Sequence, residues 1–253
     1  MRVNQKLLIV AGLLVAWEVI TVARNVDPNL FPRASAVFIR LATLFTSGEL
    51  IPYVRNTMST LAAAVAMGIS AAAVLTSLAV LTQFGRNLLS VMASMFNPLP
   101  AVALLPLAII WFGLGRGALL FVIAHSIVWS LSLATLSGFL TASRTLVQVG
   151  QNLGLKGWRL VRDIYMPAAL PHILTGLRIS WAYAWRTLIA AELVFGVSGT
   201  GGSLGWFIYQ KRYFMETTSM FAALLVIIVI GLIVNSIFLT VERHTVVKWG
   251  MSV

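Results

Sequence analysis

Long apolar runs, separated by short polar segments, make up most of the chain. Six runs approach or reach the roughly 20 mostly apolar residues that a helix needs to cross a bilayer. They are 7–23, 57–82, 88–112, 119–140, 172–197 and 220–240. Strands of a membrane barrel would alternate in polarity at every second residue, and these runs do not. Because backbone polar groups must be paired in lipid, the pattern predicts an all-α polytopic membrane protein, with about six transmembrane helices in a single domain, 1–253.

Composition supports this class and excludes others. Of the 253 residues, 59% are hydrophobic and only 10% are charged, whereas a soluble domain needs a more charged exterior. The chain has no cysteine, so disulfides and thiolate metal sites are excluded. The net charge of +11 does not indicate nucleic-acid binding, because the 18 Lys and Arg are scattered between the apolar runs and form no patch.

The first apolar run has some features of a cleaved signal peptide. Arg2 and Lys6 precede it, and Thr21-Val22-Ala23 lies near its end. The run is long for a signal peptide, and Trp17 and Glu18 interrupt it. We therefore expect it to remain in the protein as a membrane helix.

Basic residues in the short loops predict the orientation in the membrane. With the N-terminus inside, inside segments hold nine Lys and Arg and outside segments hold seven, which is a small bias. The densest cluster, between Arg144 and Arg162, favours a cytoplasmic position for the polar segment 141–171. Both termini are then expected in the cytoplasm.

This polar segment has an internal pattern. Apolar Leu155 and Trp158 lie three residues apart among the basic residues Lys156 and Arg159, and this spacing predicts a short amphipathic helix. Two prolines, at 167 and 171, are expected to stop helices and to fix the start of the next span. One interpretation is a helix lying on the headgroups, with its arginines at lipid phosphates.

The spacing in the same segment favours a second interpretation. Gly154 is followed by nine residues, then Ile164, one residue, Met166 and Pro167. This resembles the cytoplasmic signature of bacterial ABC importer permeases: Glu-Ala-Ala, three residues, Gly, nine residues, Ile, one residue, Leu-Pro. The sequence departs from the signature at Gln148-Val149-Gly150 and at Met166. The absent Glu leaves open any salt bridge that this residue makes in the family.

Further stretches are similar to one branch of that family. Asn97–Gly115, Leu170–Leu193, Ser203–Ile208 and Leu30–Val37 resemble segments of the permeases for nitrate, sulfonates, taurine and related compounds. The resemblance covers nearly the whole chain and implies the type I fold of ABC importer permeases. It also implies a location in the bacterial inner membrane, and a small anionic or zwitterionic solute of the nitrate, sulfonate, taurine or small organic acid class.

The resemblance implies a set of partners. In the family the loop is a coupling helix that docks into a groove on a separate ATPase. Two permeases, usually identical, pair with two ATPases, and a periplasmic binding protein delivers the solute. The implied coupling residues are Gln148, Gly154, Leu155, Trp158, Arg159, Ile164 and Pro167.

No cofactor is expected in this chain. It contains no G-x-x-x-x-G-K-[ST] motif, so ATP and Mg²⁺ are expected on the partner ATPase. The chain is not predicted to be an enzyme, since intramembrane protease motifs are absent and its two aspartates, Asp27 and Asp163, lie outside the spans. Half of a secondary transporter remains an alternative, although it would leave the Gly–Ile–Pro spacing unexplained.

Ionisable groups inside spans are costly and are therefore candidates for the transport pathway. In the fifth span Arg178, Trp181, Trp185, Leu188 and Glu192 lie on one helical stripe, and Arg186 lies near mid-span. Arg186 is interpreted either as lining a path for anions or as a structural partner of a carboxylate such as Glu18. The predicted pathway or gate residues are Asn97, Pro98, Trp185, Arg186 and Glu192.

Other features are interpreted structurally. The prolines of the third span, at 98, 100 and 106, predict a kink or a gate. His125 is expected to be a hydrogen-bonded packing residue, because no second type of metal ligand lies near it. Gly68 and its small neighbours predict a tight helix–helix contact. A flexible external connector is expected at Gly199, Gly201, Gly202 and Gly205.

Overall fold

A computed structural model describes residues 3–195 and 202–247 of the chain. Within these ranges the regular structure is helical and no strand occurs. The all-α prediction is confirmed for these residues, and helices are the expected structure where backbone polar groups must be paired in lipid.

Eleven α-helices lie in the described ranges. They are α1 (Val3–Ala23), α2 (Ala34–Thr46), α3 (Ile51–Val80), α4 (Gln83–Phe96), α5 (Leu105–Phe112), α6 (Arg116–Leu140), α7 (Arg144–Asn152), α8 (Trp158–Leu160), α9 (Met166–Phe195), α10 (Leu204–Tyr213) and α11 (Thr217–Glu242). A 3₁₀ turn, Ala101–Leu104, precedes α5, and π-helical turns at Val161–Tyr165 and Arg243–Val247 precede α9 and follow α11.

Three helical segments of the described chain are long and apolar enough to cross a membrane by length and composition. They are Ile51–Val80, Arg116–Leu140 and Thr217–Thr245, and the pair α4 and α5 would make a fourth if it forms one broken span. The apolar part of α1, Leu8–Ala23, is shorter than about 20 residues. The 30-residue helix α9 is long enough to span, but it carries three charged residues.

The predicted third span, 88–112, is not one continuous helix. α4 and α5 are bent by 88° at the break between them. Pro98 and Pro100 lie in the break, and Pro106 lies in the first turn of α5. Because proline has no N–H and its ring clashes with the preceding turn, these residues prevent one straight helix from forming.

The beginning of the fifth span also differs from the prediction. α9 begins at Met166, six residues before the predicted start, and Pro171 lies inside the helix instead of ending one. Pro167 occupies the first turn, where a missing N–H costs little. The predicted short amphipathic helix is not separate, because helical structure continues from Trp158 through the π turn into α9.

The chain forms two compact units, and the boundaries between them fall within α3, α9 and α11. The first unit comprises Met1–Met58 and Glu192–Ile230, and the second comprises Ser59–Ala191 and Gly231–Val253.

The first unit is held by aromatic and ionic contacts. The rings of Trp17, Phe31 and Phe221 pack together with centroids 5.3–5.8 Å apart. Lys211 Nζ lies 3.0 Å from the Glu216 carboxylate and 3.3 Å from that of Glu49. The hydrogen bond from Lys211 lowers the pKa of the Glu216 carboxyl, so Glu216 stays ionised at neutral pH.

The second unit is built around α6, the helix with the largest number of described buried residues. Small residues allow its neighbours to approach closely. A Cβ at Gly68 of α3 would lie 2.8 Å from Ile127 Cβ, and one at Gly176 of α9 would lie 2.5 Å from Ala134 Cβ. The prediction of a tight helix–helix contact at Gly68 is therefore confirmed.

Candidate functional site

The break between α4 and α5 opens into a cavity of about 530 Å³ within the second unit, and we name it the break cavity. Its lining comes from the break itself, from α6 and from α9. The lining residues are Phe96, Asn97, Pro98, Leu99, Pro100, Ala101, Val102, His125, Ser126, Trp129, Tyr183, Arg186, Thr187 and Ala190. Three of the five predicted pathway residues, Asn97, Pro98 and Arg186, are thus brought together.

Arg186 is the only Lys, Arg, Asp or Glu in this lining. Its Nε donates a hydrogen bond to Ala182 O at 3.0 Å, and its guanidinium carbon lies 5.5 Å from the centroid of the Tyr183 ring. Neither contact neutralises the positive charge, although the ring face is a favourable neighbour for a cation. The break cavity is therefore electropositive.

Two buried nitrogen atoms in the lining have no hydrogen-bond partner: Nδ1 of His125 and Nε1 of Trp129. Phe96 stacks on Trp129 with centroids 5.0 Å apart and packs edge-on against His125. His125 is thus a packing residue, as predicted, but its expected hydrogen bond is absent at Nδ1. Unpaired buried polar atoms are unusual in native structures. Sequence reasoning missed Trp129 and Thr187, because an aromatic or a threonine within an apolar run gives no signal of its own.

A second cavity of about 560 Å³ lies in the same unit, between α9 and α11, and we name it the tryptophan cavity. Its lining residues are Thr175, Arg178, Ile179, Trp181, Ala182, Trp185, Arg186, Gly231, Asn235 and Glu242. The Trp181 and Trp185 rings are stacked, 6.0 Å apart at 9°. The predicted stripe of Arg178, Trp181 and Trp185 therefore faces one cavity, and Arg186 lines both cavities.

The alternative partner proposed for Arg186 has contacts of its own. Glu18 accepts hydrogen bonds from the Ser35 hydroxyl at 2.8 Å and from the Ser35 N–H at 3.0 Å. Both carboxylate oxygens are thus taken up by the start of α2. The interpretation of Arg186 as a structural partner of Glu18 gains no support from these contacts.

Glu192, the fifth predicted pathway residue, belongs to a buried hydrogen-bond cluster in the first unit. Its side chain is 2% exposed. The Thr57 hydroxyl lies 3.0 and 3.1 Å from the two carboxylate oxygens, and the Gly205 N–H donates at 3.1 Å. Thr57 Oγ1 also accepts from Leu204 N at 2.9 Å. The Glu192 carboxyl group therefore links α3 and α9 to the N-terminus of α10.

Gly205 is required by this cluster and is not part of a flexible connector, so that part of the prediction is wrong. It lies in α10, and a Cβ there would be 2.5 Å from Glu192 Cβ. Gly202, with φ of +83°, precedes the helix as a connector residue. Gly199 and Gly201 lie outside the described residues.

The predicted coupling loop has a well-defined backbone. α7 ends in a Schellman motif: Gly154 N donates to Gln151 O at 3.0 Å, and Leu155 N donates to Gly150 O at 2.9 Å. Gly154 has φ of +81°, a conformation that glycine adopts without steric cost. The family signature thus has a glycine where this motif requires one.

A second contact closes the loop. A Cβ at Gly150 would lie 3.1 Å from atoms of both Leu160 and Ile164, so these two side chains pack closely against the glycine. Trp158 is 73% exposed, Arg159 is exposed, and Leu155 is half-buried. Gln148 and Trp158 line a third cavity, of about 740 Å³, together with Arg86 and Arg144. The docking role assigned to this loop stays a prediction.

These features define a class: a polytopic helical membrane protein with an electropositive cavity beside a broken helix and a polar loop that exposes a tryptophan. A family model described as "Binding-protein-dependent transport system inner membrane component" matches residues 64–247. The chain belongs to this family. It is therefore a membrane permease component of an ABC transport system and not an enzyme, and ATP hydrolysis takes place in a separate subunit.

Individual relatives are similar over most of the chain. A Bacillus subtilis permease protein named SsuC, for aliphatic sulfonates transport, is 27% identical over 97% of this chain and 87% of its own length. The taurine transport system permease protein TauC of Escherichia coli is 28% identical over 89% of this chain and 82% of its own length. A protein of Methanocaldococcus jannaschii named as an ABC transporter permease is 28% identical, with coverages of 87% and 83%.

Replacing Glu192 should reveal its structural role. In Glu192→Leu the Thr57 hydroxyl and the Gly205 N–H lose their acceptor, and each buried donor left unpaired costs about 1–3 kcal/mol. We expect a clear drop in the thermal unfolding temperature of the purified complex, measured by loss of monodisperse protein on heating. Glu192→Gln retains an acceptor oxygen, so its unfolding temperature should fall less than that of Glu192→Leu. Equal stability of Glu192→Leu and the unchanged protein would contradict this role.

Proposed function

We propose that this chain forms the membrane pathway for a small solute with an anionic group, of the aliphatic sulfonate class. The observation that carries the proposal is Arg186, which lines the break cavity in the absence of any carboxylate. The names of two relatives, for aliphatic sulfonates and for taurine, supply the same chemistry. Nitrate and small organic acids share the anionic group and are the other candidates.

The energetics support an anion and argue against a cation. A charged side chain near the centre of a bilayer costs at least about 2.5–3.5 kcal/mol, even on the lowest scales. A passing anion offsets this cost at Arg186, whereas a cation in the same cavity would be repelled. The unpaired Nδ1 of His125 and Nε1 of Trp129 belong to the same lining, and a sulfonate offers three oxygens as hydrogen-bond acceptors.

The proposed topology has six spans with both termini in the cytoplasm. In this arrangement α1 and α9 are spans, in addition to α3, the broken pair α4 and α5, α6 and α11. The basic residues between Arg144 and Arg162 then lie on the cytoplasmic side, which agrees with the positive-inside rule. The segment 141–171, which includes α7, is then positioned to reach a cytoplasmic partner.

The partners follow from this topology. The segment 141–171 docks on the ATPase through Trp158 and Leu155. Its other predicted residues are Gln148, Gly154, Arg159, Ile164 and Pro167. An exposed tryptophan with a basic rim suits a groove that needs an apolar anchor and electrostatic steering. ATP and Mg²⁺ are bound by that ATPase, and a periplasmic binding protein delivers the solute.

Arg186→Gln tests the pathway. We expect import into proteoliposomes, driven by the partner ATPase and binding protein, to fall about tenfold or more, because the cavity loses its only charge. Basal ATP hydrolysis should stay nearly unchanged. Import is measured with radiolabelled taurine or another aliphatic sulfonate that the binding protein accepts.

Arg186→Lys serves as the matched variant, since it keeps the charge but loses the planar fork, and it should retain part of the activity. Adding Glu18→Gln to the Arg186→Gln protein should not restore import, because the Glu18 carboxylate already accepts hydrogen bonds from Ser35. Import at the unchanged rate by a well-folded Arg186→Gln protein would refute the pathway role.

Substitutions of Gly154 and Trp158 test whether the predicted coupling loop docks on the ATPase. Gly154→Val forces a β-branched residue into φ of +81° and should disturb the end of α7, whereas Gly154→Asn should be tolerated, because asparagine adopts this conformation. We expect Gly154→Val and Trp158→Asp to abolish solute-stimulated ATP hydrolysis while the chain still inserts in the membrane. Normal stimulated hydrolysis by either variant would show that the loop is not the dock.

The intact transporter is proposed to contain two copies of this chain and two ATPases. Six spans barely enclose a pathway, and a second copy would complete it. Native mass measurement of the complex in detergent should give two permease masses with two ATPase masses. A transport-competent complex with one copy, or one that requires a different second permease, would contradict the proposal.

A further inference from the structure

Arg186 lines two cavities at different heights along α9. The break cavity touches α9 at Tyr183, Arg186, Thr187 and Ala190, while the tryptophan cavity touches it from Thr175 to Arg186. Both cavities lie in the second unit. An anion held by Arg186 in the break cavity therefore has a neighbouring compartment further along the same helix.

Arg178 is the next positive charge in that compartment. It lies eight residues before Arg186, about 12 Å along the helix axis at 1.5 Å per residue. Its Nε donates to Asn235 Oδ1 at 3.1 Å, and its Nη1 lies 3.7 Å from Glu242 Oε2. The second distance is well beyond the 2.7–2.9 Å of a close charge-assisted hydrogen bond. Arg178 is thus loosely paired, and its side chain is 41% exposed.

The charges of the tryptophan cavity favour an anion. Its lining contains two arginines and one glutamate, so it stays positive even with Glu242 ionised. The stacked Trp181 and Trp185 rings provide an apolar wall beside these charges. A pathway must bind its solute well enough to admit it and weakly enough to release it. A carboxylate that competes for the binding arginine meets the second requirement.

We propose that the tryptophan cavity is a second anion-binding station, in which Arg178 binds the anionic group and Glu242 competes with it for the guanidinium. An anion that leaves Arg186 displaces Glu242 from Arg178, and the return of Glu242 releases the anion toward the end of α11. The proposal rests on the proposed function in one respect, namely that the solute is an anion. The rival interpretation is a structural ion pair that fastens α9 to α11.

The two interpretations predict different signs for two single substitutions. If the pair is only structural, Arg178→Gln and Glu242→Gln break the same contact and should act in the same direction. If Arg178 is a binding residue, Arg178→Gln should weaken anion occupancy and Glu242→Gln should strengthen it. Each substitution alters one unit of charge, and both leave a side chain that can hydrogen-bond.

Iodide quenching of tryptophan fluorescence measures this occupancy without knowledge of the solute. Iodide is an anion, and Trp181 and Trp185 line the cavity together with Arg178. The measurement uses the full chain in complex with its ATPase, in detergent at low salt. Because the chain has eight tryptophans, the contribution of the cavity is taken as the difference from a Trp181→Phe/Trp185→Phe protein that carries the same charge substitution.

We expect the iodide quenching constant of these two tryptophans to rise about two- to fivefold in Glu242→Gln and to fall by a similar factor in Arg178→Gln. The quenching constant for acrylamide, a neutral quencher, should change little in either variant. Arg116→Gln, which removes a charge that lies outside this lining, should leave the iodide constant unchanged. If Arg178→Gln does not assemble, Glu242→Gln alone decides the matter.

Shifts of both variants in the same direction, or an unchanged constant in Glu242→Gln, would overturn the second station. Equal changes with acrylamide would also overturn it, because they would indicate a general opening of the cavity. The proposed function fails separately. Normal import by Arg186→Gln would refute the anion pathway, even if substitutions of Arg178 and Glu242 still change the iodide quenching constant. Loss of import by Arg186→Gln, together with an iodide quenching constant that does not change in the Arg178 and Glu242 variants, would refute only the second anion-binding station.

Discussion

The structure depends on how α9 keeps three charged groups within a helix otherwise suited to lipid. A bilayer offers no water to hydrogen-bond them, so each needs a protein partner, a cavity or a passing ligand. Glu192 is buried and takes hydrogen bonds from Thr57 and Gly205. Arg178 is held loosely by Asn235 and Glu242. Arg186 contacts a backbone carbonyl and an aromatic ring, and the lining of the break cavity contains no carboxylate. The carboxyl group of Glu192 is thus enclosed by hydrogen bonds, whereas Arg178 and Arg186 each line a cavity.

The proline break gives Arg186 its surroundings. Without prolines at 98 and 100, α4 and α5 could continue as one helix, and the segment from Asn97 to Val102 would not line a cavity beside α6 and α9. Irregular backbone at membrane depth is tolerated where it is buried in protein or borders a cavity. The break and the arginine therefore line one cavity, although about 90 residues separate them in the chain.

The loop before α9 shows how a family signature follows from backbone geometry. Gly154 has the positive φ that closes a Schellman motif, and Gly150 leaves room for Ile164. The signature glycine, the small residue four positions before it and the isoleucine ten positions after it are therefore the parts that shape one compact turn. Trp158, which projects from this turn, takes no part in closing it and is left 73% exposed.

The sequence by itself determined the helical class, the approximate extent of the longest helices and the family. Apolar run length and paired backbone groups leave a membrane chain few alternatives, and the loop spacing reflects a local motif. It also identified Arg186, because a charge inside an apolar run is visible without a structure. Helical periodicity correctly placed Arg178, Trp181 and Trp185 on one face, but it did not predict that this face lines a cavity between α9 and α11. The partners of Glu192, the size of the bend (88°), the helical start at Met166 and the presence of Trp129 beside the cavity of Arg186 were decided only by the tertiary structure. Thr57 and Glu192, like Trp129 and Arg186, are far apart in the chain, and their geometry depends on side-chain packing, which periodicity does not encode.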